Sequence, residues 1–234
     1  MKTKGEYRSM KSFCHGFALL SGFLTVPCCQ SQVLSIDGQV SRALSNGQSE
    51  IRIPSPQGWN AAPKSLNEAI HLGEVPVVVH VERKVTVPTE NNMALRSWYE
   101  ATVLRTMSAA NLPSGQLLPG TSAIPAEFQK VPKDAVLIQT SGGRLVKSGV
   151  TLKSSERPAA LSVGNTYLLF LHFVRSAADT PPIAQLDMGT DSILQVNGDH
   201  LSTLPSRSIL SPFMSDVLAK SSASLTKLTH SLGK

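Results

Sequence analysis

The chain has 234 residues, with 22 basic and 16 acidic side chains and a formal net charge of +6. This length suits one modest domain with extensions better than two full domains. All three cysteines, at positions 14, 28 and 29, lie near the start. The rest of the chain is therefore excluded from holding a disulfide, a thiolate metal site or a cysteine nucleophile.

Residues 1–31 have the three parts of a secretory signal peptide. Residues 1–12 carry four basic side chains against one acidic, and the apolar run FCHGFALLSGFLTV follows over 13–26. As a helix this run would reach about 21 Å, short of the roughly 30 Å hydrocarbon core, so a spanning helix is the weaker interpretation. Removal of the segment lowers the net charge to +3. This small charge, together with export, argues against a nucleic-acid partner.

The adjacent cysteines offer a second processing route. Cys28 or Cys29 is a candidate lipid acceptor of a bacterial lipoprotein, but the preceding residues TVP end in proline. Proline fits the usual small-residue pattern before the acceptor poorly, so cleavage near Ser31 is favoured over lipidation. We expect a periplasmic or extracellular protein, with membrane anchoring through Cys28 or Cys29 as the alternative.

Residues 32–64 are rich in residues that interrupt regular structure: Asp37-Gly38, Asn46-Gly47, Pro54, Pro56, Gly58 and Pro63. This density predicts a flexible lead-in. The next segment begins with Ser65 followed three residues later by Glu68, which is the pattern of a capping box, and it ends at Gly73. It predicts a short helix.

From residue 75 the apolar period changes to two. Valines occupy positions 75, 77, 79, 81, 85 and 87, with polar residues at 80, 82, 84 and 86, which predicts a strand buried on one face. Arg83 interrupts the valines and indicates a bulge or the point at which the strand leaves the core. Residues 95–107 predict a long returning strand. The long loop over 108–134, with its prolines and glycines, is expected to be functional or disordered.

Four further segments have the composition of strands: 135–140, 144–152, 167–173 and 192–196. With one short preceding helix and no crossover helices, they predict a mainly β fold, a small antiparallel OB-like barrel over 65–205. Residues 206–234 predict a C-terminal amphipathic helix capped by Ser211, with lysines at 220, 227 and 234 along one edge. Docking of this helix on the barrel is favoured over peripheral membrane contact, because serines thin its apolar face.

These segments follow an order found in other proteins. The valine-rich strand is followed by Trp98-Tyr99-Glu100, Gly142-Gly143, Pro158, Gly164 and the run YLLFL. This order, over about residues 66–200, resembles a group of exported bacterial proteins of uncharacterised function whose members look like small OB-like β-barrels. The resemblance implies a fold and an extracytoplasmic location, and it brings no catalytic residues. The 108–134 insertion and Ser141, where the group often has proline, depart from its pattern.

The stretch TSGGRLVKSGVTL, residues 140–152, comes nearest to a catalytic signature. A phosphate loop needs its glycines at the start of a helix, but Gly149 is followed by VTL, a strand sequence. A hydrolase elbow needs glycine two residues before its serine, where Ser141 has Gln139. Gly142 and Gly143 are therefore interpreted as a hairpin corner that requires positive φ.

No other group of residues predicts chemistry. The histidines form no helical pair or HExxH pattern, so we predict no metal site, no cofactor and no catalytic residue. His80 and Glu82 share one face of a strand, and with His172 nearby they make a hydrolase the less favoured alternative. Asp187, Asp191 and Asp199 lack the spacing of a calcium loop and are interpreted as turn-capping residues.

Binding is the favoured class of function. Arg96, Trp98, Tyr99 and Arg105 lie on one predicted strand and would present aromatic and basic groups on a concave face. For Trp98, a position in the core is an equal alternative. We predict an exported, non-catalytic binding or scaffolding protein of the bacterial cell envelope, with an envelope protein or a glycan as its partner. The alternative is a soluble OB-like module that binds an oligosaccharide or an extended peptide.

Overall fold

The computed structural model is mainly β and contains two sheets, which confirms the predicted class. It describes residues 34–54, 62–107, 124–128, 130–132, 134–155, 161–174, 182–186, 188–205 and 210–232. The predicted signal peptide and residues 108–123 of the predicted loop lie outside these ranges.

The described residues form four α-helices and ten strands. The helices are α1 (Ile36–Ser45), α2 (Leu66–His71), α3 (Pro212–Ser221) and α4 (Leu225–Leu232). The strands are β1 (Glu50–Ile53), β2 (Glu74–Pro88), β3 (Leu95–Thr106), β4 (Ala135–Ser141), β5 (Arg144–Lys147), β6 (Val150–Ser154), β7 (Thr166–Val174), β8 (Ile183–Gln185), β9 (Ile193–Asn197) and β10 (His200–Ser202). The predicted strands and the helix after Ser65 are thereby confirmed, whereas β1, β8 and β10 were not predicted.

The larger sheet has the strand order β10-β9-β7-β2-β3-β4-β8. Because β8 also pairs with β7, the strands β7, β2, β3, β4 and β8 close into a ring. The β4–β8 pair is parallel, so the expectation of a purely antiparallel arrangement is wrong. The reason is geometric: strand direction cannot alternate all the way round a ring with an odd number of strands, so one pair must be parallel.

Alternate residues of the ring strands fill its interior. Val75, Val77, Val79 and Val81 of β2 point inward, as the period of two predicts. They pack with buried side chains of the other strands, among them Tyr99, Ile138, Tyr167, Leu169, Leu171 and Ala184. The predicted bulge in β2 is confirmed by a register shift between Val81 and Arg83.

A smaller sheet has the order β1-β6-β5, with β1 parallel to β6. α1 packs on one face of it, and Leu95 of β3 joins the same core, whose other members are Ile36, Val40, Ala43, Ile53, Val150 and Leu152. The flexible lead-in predicted over 32–64 is therefore wrong for residues 36–53. Ser35 caps α1 by accepting a hydrogen bond from the Gly38 N–H at 3.3 Å, so the Asp-Gly pair lies in the first turn instead of ending the helix.

Gly142 and Gly143 carry the chain from the larger sheet to the smaller one. Both have positive φ, +83° and +146°, as expected for a corner. The predicted hairpin lies elsewhere, because Lys147 pairs with Val150 across a turn formed by Ser148 and Gly149. Gly142 and Gly143 instead connect β4 to β5, which belong to different sheets.

The C-terminal segment forms two helices where one was predicted. Ser222 and Ala223 both adopt left-handed conformations, with φ of +49° and +56°, and this ends α3 before α4 begins. Ser211 caps α3 as predicted, accepting a hydrogen bond from the Met214 N–H at 3.2 Å. Both helices pack with α2 on the outer side of β7 and β9, through Leu66, Ala69, Phe213, Met214, Val217 and Leu228. Of the helices in the described ranges, none is long and apolar enough to cross a membrane.

Candidate binding site beneath the strap

The structure separates the four residues predicted to form a ligand platform. Trp98 and Tyr99 are consecutive on β3, so they point to opposite faces, and both are fully buried. Tyr99 lies inside the ring, whereas Trp98 lies on its outer side. Arg96 is 8% exposed, and Arg105 is exposed near the other end of the strand. The expectation of one shared, exposed aromatic and basic face is therefore wrong.

Arg96 lies on the outer side of β3 with Trp98, opposite Val87 of β2. Burial lowers the pKa of its guanidinium, an effect that the nearby carboxylate of Glu90 opposes. Arg96 is thus a largely buried cation on the same face of β3 as Trp98.

Residues 124–128 and 130–132, here called the strap, cover this outer side of the ring. Phe128, in a single turn of 3-10 helix (Ala126–Phe128), is fully buried. It packs in one cluster with Trp98, Leu137 of β4, Val174 of β7 and Ile183 of β8. Ile124 and Val131 of the strap pack against the same cluster and remain partly exposed. The part of the predicted 108–134 loop that the structure describes is thus a cover on β3 and β4.

Arg83 fastens the strap to the ring. Its guanidinium forms an ion pair with Glu100 of β3, with Nε 2.7 Å from Oε2. The same group donates to the Glu127 carbonyl at 3.2 Å and lies 5.1 Å from the centre of the Phe128 ring. The bulge between Val81 and Arg83 brings Arg83 opposite Glu100, so the irregularity in β2 positions this contact.

Two polar groups beneath the strap lack hydrogen-bond partners among the residues that the structure describes. Trp98 and Gln139 are paired across β3 and β4, so their side chains are neighbours on one face. Gln139 accepts from the Gln185 Nε2 at 3.0 Å, but its own Nε2 and the Trp98 Nε1 are buried and have no acceptor in the described ranges. A buried donor left unpaired costs about 1–3 kcal/mol. The covered face therefore holds two donors, on side chains that are neighbours across β3 and β4, that ligand oxygens could satisfy.

The residues considered for acid–base chemistry are dispersed. His80 Nδ1 is 3.1 Å from the Thr166 hydroxyl, and Glu82 accepts from the Thr102 hydroxyl at 3.0 Å. His172 pairs with Glu74, six residues along β2 from His80, a separation of about 20 Å. The geometry does not bring the three together. Within the described part of the chain, no three His, Cys, Asp or Glu side chains are grouped to hold a metal.

Asp199 lies in a turn, but the hydrogen bonds that the structure describes for its carboxylate cap the start of α4 instead of that turn. Its carboxylate accepts hydrogen bonds from the Thr226 N–H and hydroxyl at 2.8 and 2.7 Å, and from the Ser224 hydroxyl. These contacts fasten the β9–β10 turn to the start of α4 and hold the pKa of Asp199 below its ordinary value. Asp191 lies in a separate 3-10 turn, and Asp187 lies outside the described residues.

Sequence reasoning missed Phe128, Gln139 and Arg83 as members of this site. Only Arg83 carried a signal, because it interrupts the valine pattern of β2. Comparisons of the chain with protein-family models, with curated proteins and with solved structures found no match.

Proposed function

We propose that this chain is an exported, non-catalytic binding protein of the bacterial cell envelope, built on an OB-like ring. The strand order supports the OB-like assignment. Taken in chain order, the third and fifth ring strands, β4 and β8, pair in parallel, and the first, β2, contacts the second and fourth, β3 and β7. This is the connectivity of the OB-fold, whose second and third strands commonly present the ligand-binding face. In this chain those strands are β3 and β4.

The ligand favoured by the site is a neutral oligosaccharide bound on β3 and β4 after the strap moves aside. The observation that carries this proposal is the pair of buried donors, Trp98 Nε1 and Gln139 Nε2, that find no acceptor in the described part of the chain. Sugar hydroxyl and ring oxygens accept from such donors, and the indole ring offers an apolar surface to a sugar ring. The second candidate ligand is an extended peptide, whose backbone carbonyls supply equivalent acceptors.

Tryptophan fluorescence tests the proposal directly. The chain has two tryptophans, so a Trp59→Phe background leaves Trp98 as the only reporter. Cello-, xylo- and chito-oligosaccharides and extended peptides are titrated into this protein. We expect an oligosaccharide to change the Trp98 emission in a saturable way. Gln139→Leu, which keeps the volume and removes the amide, should weaken that binding by about tenfold, the worth of one hydrogen bond.

The Phe128→Ala variant tests whether the region around Trp98 is a ligand site covered by the strap or a closed part of the hydrophobic core. Removing the side chain that covers Trp98 should strengthen binding, because less burial is lost when the strap moves. Leu104→Ala, at an exposed position of β3, serves as the control and should leave the affinity for the oligosaccharide unchanged. If no oligosaccharide changes the emission even in Phe128→Ala, the oligosaccharide proposal fails. If peptides bind in a way that depends on Gln139 and no oligosaccharide binds, the ligand is an extended peptide.

Export is tested by the intact mass of the protein recovered from its native cell. A chain that begins near Gln32 without added mass supports a free exported protein. A chain that begins at Cys28 or Cys29 with lipid mass supports an anchored one. A chain that retains residues 1–31 contradicts export.

A further inference from the structure

The exposed face of the smaller sheet carries a row of three cations. α1 covers one face of this sheet through its apolar residues, and alternate residues therefore point to the opposite face. Arg52 of β1 pairs with Lys153 of β6, and Lys153 pairs with Arg144 of β5. These three side chains form a straight line across the strands, here called the basic row, with about 4.8 Å between neighbouring strands.

The basic row is barely neutralised. Lys153 forms an ion pair with Glu50 at 2.6 Å, whereas neither Arg52 nor Arg144 forms an ion pair with any described residue. The adjacent row consists of Glu50, Thr151 and Val146. Across the two rows, three cations face one carboxylate. The pKa of the Glu50 carboxyl is lowered chiefly by its hydrogen bond with Lys153 and also by the charges of Arg144 and Arg52, so one carboxylate is shared among three cations. The two guanidiniums offer the planar donor groups that bind carboxylates in a bidentate manner.

We propose that the basic row is a binding surface for a linear polyanionic glycan with carboxylates along its length. In a glycan with one carboxylate on each sugar, the distance between successive charges is similar to the distance between neighbouring strands. It can lie across β1, β6 and β5 and contact the three cations in turn. This surface is separate from the Trp98 site, and the inference does not depend on the proposed function.

The composition of this face favours a hydrated polyanion over other acidic partners. Protein interfaces have an apolar centre, whereas Val146, 61% exposed, is the only large apolar side chain among the two described rows. Binding to an anionic membrane gains about 1 kcal/mol for each basic residue and, for firm attachment, needs apolar insertion or a larger polybasic cluster. Three aligned charges on a flat, polar face therefore match a linear glycan best.

Binding to polygalacturonate tests the inference, with poly-L-glutamate and vesicles containing phosphatidylglycerol as the comparison ligands. The full chain is compared with the triple variant Arg52→Gln, Arg144→Gln, Lys153→Gln. The control triple variant, Arg42→Gln, Arg105→Gln, Lys227→Gln, removes the same charge from exposed positions elsewhere. Affinity is measured by calorimetry at two salt concentrations.

We expect the first triple variant to bind polygalacturonate about tenfold more weakly and with less dependence on salt, because several exposed ionic contacts are lost together. The control triple variant should bind within twofold of the natural chain. Equal losses in both variants would mean that net charge alone attracts the polymer and would overturn the inference. Equal or tighter binding to poly-L-glutamate or to the vesicles would overturn the assignment to a glycan.

Discussion

Substitution of Gly143 by alanine should destabilise the protein strongly, because this residue lies directly against two strands of the ring. A Cβ at this position would lie 2.5 Å from the Ser97 Oγ of β3 and 2.6 Å from the Thr86 Cγ2 of β2. The two hydroxyls hydrogen-bond each other at 2.9 Å, and Ser97 donates to the Gly142 carbonyl at 2.9 Å. The added atom cannot fit unless this network moves.

The expected loss of stability has two parts. Overpacking of a well-packed position costs about 1–3 kcal/mol, and a strained backbone conformation costs a further 1–3 kcal/mol or so. The second part applies because φ of Gly143 is +146°. We expect a total near 3 kcal/mol, which for a chain of this size lowers Tm by about 6–12 °C. Gly143→Val should cost more, since its branched side chain meets the same neighbours.

Gly149→Ala provides the matched control. Gly149 also has positive φ, +81°, but a Cβ there meets no atom within 4 Å. It should therefore cost only the backbone part, about 1 kcal/mol. Unfolding in urea, followed by circular dichroism, measures both free energies. If Gly143→Ala costs no more than Gly149→Ala, the close approach of the two sheets at this corner is not as described.

Two further substitutions test other parts of the fold. Ile36→Ala, at a fully buried position of α1, should lower the free energy of unfolding by about 2–5 kcal/mol. Leu44→Ala, at a half-exposed position of the same helix, should change the free energy of unfolding by less than about 0.5 kcal/mol. Equal effects of the two substitutions would indicate that this segment is a flexible lead-in after all. Asp199→Ala should lower Tm by uncapping α4. The difference from the natural chain should be largest above the unfolded pKa near 3.8 and should shrink as the pH falls through the lower folded value, because a protonated carboxyl accepts hydrogen bonds more weakly. A difference that stays constant over this range would contradict this.

The elements with a strong local pattern could be predicted from the sequence. The valines of β2 follow a period of two, and the serine caps of α2 and α3 stand directly before apolar helical positions. These features depend on neighbouring residues alone, so no tertiary information was needed. The interruption at Arg83 is equally local, and of its two interpretations, a bulge or the point at which the strand leaves the core, the structure has the bulge.

The pairings across long stretches of chain could not be predicted. β1 has only four residues, and Glu50 pairs with Thr151 of β6. A strand this short has no usable period, and its partner lies about one hundred residues away. The segment was therefore interpreted from its prolines and glycines, although Ile36, Val40 and Ala43 have the spacing of a helix face.

The sequence left a core position for Trp98 open as an alternative, and it could not decide between the two for a related reason. Residues 95–101 of β3 are buried on both faces, because the ring encloses one side and the strap covers part of the other. A strand covered on both faces lacks alternation between apolar and polar residues. Its polar residues, such as Glu100, were thus compatible with an exposed strand. The contact that satisfies Glu100 comes from Arg83, and sequence pattern alone does not predict such a pairing.

The turn between β2 and β3 is fastened to α1 and to the smaller sheet. The Ile36 N–H donates to the Asn92 carbonyl at 2.6 Å, and the Asn92 side chain donates to Asp37 at 2.7 Å. Asp37 also forms an ion pair with Lys147 of β5. If the ring binds the proposed ligand, these contacts already occupy the turn, which favours the outer face under the strap, where Trp98 and Gln139 hold donors without an acceptor among the described residues.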